Sequence, residues 1–237
     1  MKLALDIGNT NLSAALFDNQ DICETRIISH QQNHMKELDP LIKRADQILA
    51  ATVAPSILKE IISVLPEQAC TPLVINAEDV PVRTKTIDRS ATGVDRLLNA
   101  LCVVREHACP AVIIDCGSAV TVDVVDPDGC FYGGAIFPGT RVMASALSRE
   151  TEKLPEAELR PGPMPGRNTA EAISCGILCG SAGMIDRLVR EAEEFIKKPG
   201  SIILTGGGAD TMMPLLKTAD LHLDRHLTLK GIIHAAG

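Results

Sequence analysis

Apolar and polar positions along this chain fall into one pattern that is played twice. Residues 1–7 and 12–18 are apolar runs of strand length, joined at Gly8-Asn9-Thr10-Asn11, whose turn-forming residues predict a hairpin. A third strand is expected over 21–28. Residues 33–45 place Met35, Leu38, Leu41 and Ile42 on one side of a helix; 47–53 reads as a buried strand; Pro55 opens a helix to about Leu65; 73–76 is another short strand. A polar connection over 77–92 leads into a helix over 93–107, with Leu97, Leu98, Leu101 and Val104 in register. The opening pattern then begins again. An apolar strand over 111–114 ends at Asp115, Cys116-Gly117-Ser118 follow, and strands are expected over 119–125 and 130–136 around the turn Asp126-Pro127-Asp128-Gly129. Helices are expected at about 138–149 and 169–197, a strand at 201–205 before Gly206-Gly207-Gly208, a helix near 209–217, a short strand near 221–223 and a short helix from about Thr228. The Pro- and Gly-rich stretch 155–168 is the most loop-like.

The repeat sets the organisation: two similar halves, 1–110 and 111–237, with no flexible linker. Asp6-Ile7-Gly8-Asn9-Thr10 and Asp115-Cys116-Gly117-Ser118-Ala119 hold equivalent places, each after one apolar strand and before another. A chain of 237 residues has room for two domains of ~100–150 residues. Hydrophobic residues at 46% exclude disorder for most of it. With aromatics at 2% and no Trp, the core must be Leu, Ile, Val, Ala and Met, as in helix-covered sheets. The same scarcity weighs against stacking platforms for single-stranded nucleic acid. A net charge of −7 confines phosphate binding to local devices and argues against a DNA-binding surface. No run of about 18 apolar residues predicts a membrane span, and the N-terminal segment lacks a signal-peptide core. The eight cysteines are scattered without a CxxC pair, so free thiols in a cytoplasmic protein are expected.

Chemistry concentrates at the strand ends. An Asp leaving a buried strand, followed by Gly and a small polar residue, makes a phosphate-facing turn: Gly admits the ligand to the backbone, and N–H groups with the Asn9, Thr10 or Ser118 side chains donate to phosphate oxygens. The carboxylates need a cation or water between them and a phosphate. Three glycines after the strand ending at Thr205 would let a flat base or ribose lie on bare backbone. Taken one at a time these positions have plain structural readings. Asp95 reads as a helix cap, Arg96 as an exposed ion-pairing residue, Asp115 as a strand-end turn and Thr169 as a helix N-cap.

In combination and in this order, the motifs resemble the actin-like ATPase superfamily of sugar and acetate kinases. Over essentially its whole length the chain is similar to type III pantothenate kinases. The residues that carry this are Asp6-Ile7-Gly8-Asn9-Thr10, Gly93-Val94-Asp95-Arg96, Asp115-Cys116-Gly117-Ser118-Ala119-Val120-Thr121-Val122-Asp123, Gly133-Gly134-Ala135-Ile136-Phe137-Pro138-Gly139, Leu154-Pro155, Gly166-Arg167-Asn168-Thr169 and Leu204-Thr205-Gly206-Gly207. The resemblance implies an α/β fold: a duplicated actin-like ATPase (ribonuclease H-like) fold of two mixed-sheet halves with an intervening nucleotide cleft. It implies phosphorylation of pantothenate by ATP, the first step to coenzyme A, in a cytoplasmic homodimer with shared active sites. Mg²⁺ and a monovalent cation, K⁺ or NH₄⁺, would be required.

Position by position, the resemblance gives Asp6, Ile7, Gly8, Asn9, Thr10, Asn11, Leu12 and Ser13 to the ATP phosphate loop, with Asp6 meeting Mg²⁺ through water. Ser118, Gly206 and Gly207 would contact ATP. Gly93, Val94, Asp95 and Arg96 would hold pantothenate, Asp95 as catalytic base and Arg96 on the substrate carboxylate. Asp115 would bind the monovalent cation, and Thr169 would reach substrate in the partner subunit. The chain departs from the family at Asp88-Arg89, where members often carry Asn-Pro, at 80–92, which lacks the aromatic that commonly lines the acceptor pocket, and at Ser118, usually Thr. Two other readings stay open: a related small-molecule kinase with a shifted acceptor, and a non-catalytic regulator, an accessory factor for transcription, on the same fold.

Overall fold

The computed structural model describes residues 1–66, 69–197 and 200–237. It divides into two compact units, Met1–His107 with His226–Gly237, and Ala108–Arg225.

The first unit is built on strands β1 (Lys2–Ile7), β2 (Asn11–Asp18), β3 (Asp21–Ser29), β4 (Gln47–Thr52) and β5 (Leu73–Ile75), in the order β3-β2-β1-β4-β5. β1 and β2 pair antiparallel as the predicted hairpin, and β4 and β5 add parallel strands on the other side. Alternation along β1 and β2 sends Leu3, Leu5, Ile7, Leu12, Ala14 and Leu16 to one face. There they are buried with Leu38 and Leu41 of helix α1 (His34–Ile42) and with Leu58 and Ile61 of α2 (Pro55–Ser63). The other face packs against α3 (Val94–Glu106) and the C-terminal helix. Between β5 and α3 the connection holds a capped turn at Ala77–Asp79 and the two-residue strand β6 (Arg83–Thr84).

The second unit repeats the plan. Strands β7 (Ala111–Cys116), β8 (Ala119–Val125), β9 (Cys130–Pro138), β10 (Ser201–Thr205) and β11 (Leu221–Leu223) run in the order β9-β8-β7-β10-β11, again three antiparallel strands followed by two parallel ones. Val112, Ile114, Cys116, Val120, Val122 and Val124 point to one face. They form a core with Leu178, Ala182, Ile185 and Val189 of the long helix α5 (Thr169–Ile196), which follows α4 (Thr140–Arg149). The duplication expected from the two Asp-x-Gly turns is therefore a duplication of sheet topology, with β1 and β7 as equivalent central strands. α5 is long and apolar enough by composition to cross a membrane, but half of that stretch is buried in this core.

Two elements differ from expectation. The helix near 209–217 stops at Met212 as α6 (Ala209–Met212) and continues as a 3₁₀ turn over Met213–Leu215, because Pro214 has no N–H to extend the α-helical ladder. The last helix, α7 (Leu227–Ala235), belongs to the first unit, not to the half 111–237 in which sequence order places it. Its Leu227, Leu229 and Ile232 are buried, and it packs on α3 and β1. Thr228 Oγ1 donates to Asn99 Oδ1 at 2.8 Å, both residues being buried. At the far end Glu106 receives Lys230 at 2.9 Å and His234 at 2.7 Å. Burial pushes the Glu106 carboxyl up, but these two hydrogen bonds outweigh it and leave its pKa below the usual range. The stabilisation is present above the ordinary carboxylate pKa and is lost as pH falls through the lowered one.

The two helices touch through backbone. A Cβ on Gly231 would lie 2.7 Å from the carbonyl carbon of Leu98. Gly231→Ala should therefore destabilise the protein by about 1–3 kcal/mol through overpacking, although alanine gains ~1 kcal/mol over glycine at an open helix position. Urea denaturation measures this, and a variant more stable than the parent would show that α7 does not sit against α3 in this way.

Candidate active site

The first strand-end turn is complete within the first unit. Asp6 lies directly opposite Ser13 in the β1–β2 ladder, so the two side chains share a face, the one turned away from the α1/α2 core. The chain reverses at Gly8–Thr10, where Gly8 N–H donates to Asn11 O at 3.1 Å. Ile7 O at its entry accepts from Thr52 Oγ1 at 3.1 Å and from Val53 N–H at 3.2 Å. His30, just past β3, closes the turn from the side: its N–H donates to Thr10 O at 3.2 Å, and its ring Nε2 lies 2.8 Å from Gly8 O.

The connection into α3 is organised by Asp88 and Arg89. The Arg89 guanidinium donates from Nε to Ala77 O at 2.9 Å, from Nη1 to Val82 O at 2.8 Å, and from Nη2 to Val80 O. One side chain thus gathers three carbonyls of a segment with little regular structure. Asp88 accepts from Ser90 Oγ at 2.7 Å and Ala91 N–H at 3.2 Å, and these bonds hold its carboxyl below the usual range. Buried Thr92 returns Oγ1 to Asp88 O at 2.9 Å and N–H to Arg89 O at 3.0 Å. The braced loop delivers Gly93 as the N-cap of α3, with no side-chain cap bond. Asp95 is therefore not the capping residue. It sits inside the first turn, half-buried, with Oδ1 accepting from Arg96 N–H at 2.8 Å. A helix N-terminus favours a carboxylate there. A side chain at Gly93 would press to within 2.5 Å of Asp95 Oδ1, so glycine keeps the space in front of the carboxylate clear.

The second unit forms its own turn. Asp115 is opposite Thr121 of β8 and Thr205 of β10, so the three side chains form a row across the sheet on the face away from α5. Among the described residues Thr121 Oγ1 is buried without a hydrogen-bond partner, and Thr205 is buried too. A carboxylate beside two hydroxyl oxygens is a hard-donor set suited to a cation that prefers oxygen. The turn after Asp115 is held by glycines from elsewhere. Gly139 N–H donates to Ser118 O at 2.8 Å, and Gly208 N–H to Cys116 O at 2.8 Å. Gly206, at φ +89°, lies so close that a Cβ would come within 2.7 Å of Cys116 backbone atoms. Of the three late glycines, Gly206 and Gly208 thus serve the turn itself, and only Gly207 has open space in front of it.

The long helix is entered through a capped turn: Asn168 Oδ1 accepts from Glu171 N–H at 2.9 Å, while the Glu171 carboxylate accepts from Arg167 N–H and Asn168 Nδ2, each at 2.8 Å. The cap is Asn168, not Thr169, which is exposed at the first helical position. Further along, Gly176, Gly180 and Gly183 meet nothing of their own unit within 4 Å. Gly180, Gly183, Met184 and Leu188 line an open groove of about 540 Å³ with Ile136 and Phe137 of β9. Ile136 is 60% exposed and Met184 39%, whereas Ile173, nearer the start of the same helix, is buried.

Sequence reading brought forward Asp6, Asp95, Arg96, Asp115, Ser118 and Thr169. It missed His30, Arg89 as a brace, and Thr121 with Thr205 as neighbours of Asp115. Strand parity could have found Thr121; the others depend on tertiary contacts. A further group, Cys102, Glu106 and His234, places three potential ligand atoms within 4.8 Å of one another. Lys230 on Glu106 makes it an ion-pair junction between α3 and α7.

The protein family described as type III pantothenate kinase matches residues 2–191. The type III pantothenate kinase 1 of Symbiobacterium thermophilum is 33% identical over 255 residues, covering 98% of this chain and 94% of its own length. Among solved structures, a Baf family protein of Campylobacter jejuni, provisionally described as a transcriptional activator, superposes with a TM-score of 0.58 at 22% identity, covering 98% of this chain and 96% of its own. The activator of 2-hydroxyisocaproyl-CoA dehydratase from Clostridium difficile, solved with bound ADPNP, gives 0.56 at 14% identity, covering 99% and 92%. The two solved structures share this chain's fold, here a plan of two mixed sheets with helices repeated once.

Cys116 tests the burial of the second turn. Burial, with the Asp115 charge adding to it, pushes this thiol up to about 12. At pH 8 iodoacetamide should label exposed Cys23 and Cys70 and leave Cys116 intact in the folded protein. Peptide mass mapping reads the result, and labelling of Cys116 at a comparable rate would contradict the packing described.

Proposed function

The chain belongs to the type III pantothenate kinase family, and on that premise we propose how its residues share the work of transferring a phosphoryl group from ATP to pantothenate. The reaction yields 4′-phosphopantothenate, the first step of coenzyme A biosynthesis. The acceptor hydroxyl oxygen attacks the γ-phosphorus, the bond to the β,γ-bridging oxygen breaks, ADP leaves, and the hydroxyl proton passes to a carboxylate. Such transfer needs positioning and charge neutralisation more than covalent help from the protein. Asp95 is the base: it sits in the first turn of α3 behind an N-cap with no side chain, which leaves room in front of the carboxylate, and this is the observation that carries the assignment. Arg96 pairs with the pantothenate carboxylate. Gly93 and Val94 shape the approach.

The Gly8–Ser13 turn holds the ATP phosphates through its N–H groups and the Asn9, Thr10 and Ser13 side chains; within the second unit, Ser118 and the open backbone at Gly207 are the nucleotide contacts that the family resemblance implies. Asp6 would hold Mg²⁺ through water, and Asp115 with the Thr121 and Thr205 hydroxyls would hold K⁺ or NH₄⁺; both cations neutralise phosphate charge when bound. The retained Asp6, Asp95, Arg96 and Asp115 favour catalysis over a purely regulatory role. Eight free thiols support a cytoplasmic setting, and the acidic net charge of −7 argues against a nucleic-acid partner. Asp95→Asn keeps size and local hydrogen bonding but cannot take the proton. Turnover should fall by ~10²–10⁴ with ATP affinity little changed, measured in a coupled ADP-release assay with potassium present. Turnover within about threefold of the parent would remove Asp95 from the role of base.

The active form is a homodimer built on the outer face of α5. Three helical glycines with empty space in front of them cost the helix stability and return nothing within the unit. They suit the close approach of a second helix, with Met184, Ile136 and Phe137 supplying apolar area beside them. Exposed Thr169 then reaches pantothenate held by Asp95 and Arg96 of the other chain. Mixing Asp95→Asn with Thr169→Arg under subunit exchange creates dimers with one doubly damaged site and one intact site. Activity should return to at most about half of the parent per mixed dimer. No return, with exchange confirmed by native mass spectrometry, would show that each chain uses its own Thr169 or none.

A further inference from the structure

His30 stands outside every motif that identifies the family, yet it touches the phosphate loop twice. Its N–H donates to Thr10 O at 3.2 Å and its Nε2 is 2.8 Å from Gly8 O, so one residue grips the turn at both ends. The ring is itself held. Nδ1 lies 3.0 Å from Nε2 of His34, and the two rings meet edge to face with centroids 5.2 Å apart. Gly8 O can only accept, so the proton must be on His30 Nε2. In the neutral ring Nδ1 is then an acceptor, and His34 Nε2 must donate to it. His34, the first residue of α1, is buried, and that burial lowers its pKa, favouring the neutral form this order requires. The result is a directed chain, from His34 through His30 to Gly8 O.

The chain of donors has a consequence for the backbone. A trans peptide carries its C=O and N–H on opposite sides. With the Gly8 carbonyl turned to His30, the Asn9 N–H is turned away from it, and among the described residues that N–H makes no hydrogen bond. Glycine at position 8 would otherwise let this peptide rotate, because nothing but its neighbours restrains it.

We propose that His30 is a positioning residue for ATP: by fixing the Gly8 carbonyl it holds the Gly8–Asn9 peptide with its N–H presented to a phosphate oxygen, and His34 fixes the His30 ring for that purpose. The inference rests on the reading of residues 6–13 as the phosphate loop. Its effect belongs to nucleotide binding rather than to the acceptor or the proton transfer.

The test compares His30→Leu, which cannot donate, with His30→Gln, whose amide nitrogen falls near the Nε2 position. In the leucine variant the KM for ATP, and the Kd for ATP by calorimetry, should rise about tenfold, while the pantothenate KM stays within about twofold and the thermal midpoint moves little. The glutamine variant should recover most of the ATP affinity. Should the leucine variant not fold, His30→Asn, whose shorter amide does not reach Gly8 O, replaces it in the comparison with glutamine. Asp6→Asn, assayed alongside, separates two failures. If it weakens ATP binding and His30→Leu does not, or if glutamine binds no better than leucine, His30 has no positioning role. If Asp6→Asn itself leaves ATP binding unchanged, the phosphate-loop reading falls and the proposal with it.

Discussion

The direction of both strand-end carboxylates, Asp6 and Asp115, depends on strand parity. β1 and β7 are central strands that send one alternating apolar set into one core, Leu3, Leu5 and Ile7 in the first unit and Val112, Ile114 and Cys116 in the second. Because side chains alternate, the residue between the last two of each run must point the other way. That residue is Asp6 in one strand and Asp115 in the other. A slip of one position would turn a carboxylate into an aliphatic core, an exchange far more costly than any single contact in the site. Hydrophobic burial therefore fixes the direction of both carboxylates before any ligand is present.

Parity aims the carboxylates but does not shape the turns that follow them. Those turns are held by groups distant in sequence, through carbonyl oxygens. His30 takes Gly8 O and Thr10 O, and Arg89 takes Ala77, Val80 and Val82. Gly139 and Gly208 take Ser118 O and Cys116 O. Fixing a carbonyl fixes the N–H on the other side of the same peptide plane, so a loop can be made into a rigid set of donors without adding a side chain to the binding surface. Arg89 shows the same economy before α3: its guanidinium takes three carbonyl acceptors, and the segment is ordered by hydrogen bonds.

The glycines separate two kinds of constraint. Gly139, Gly206 and Gly231 are required by their own unit, because a Cβ would strike neighbouring backbone. Gly176, Gly180 and Gly183 on α5 are not, because among the described residues nothing lies within 4 Å of a Cβ built there. The same helix buries Leu178, Ala182, Ile185 and Val189 on its inner side. With these and the outward Met184 it is apolar on more than one side, and an unaided hydropathy reading makes it resemble a membrane span.

Local periodicity and turn chemistry were enough to determine the two-fold repeat, almost all the elements, and the carboxylates at the strand ends. Each depends on residues within a few positions of one another, which is the range over which side-chain alternation, helical spacing and proline act. The family motifs around Asp6, Asp95 and Asp115 belong to the same local class. What tertiary structure alone decided involves partners far apart in the chain. The sequence does not show that α7 returns to the first unit, because its apolar face fits any core, and only the approach of Gly231 to Leu98 and the pairing of Thr228 with Asn99 select one. Nor does it show that His30 reaches Gly8, that Thr205 and Thr121 flank Asp115, or that Asn168 rather than Thr169 caps α5. A polar side chain carries no periodic signal of its own, and its partner is set by the packing of the apolar residues around it.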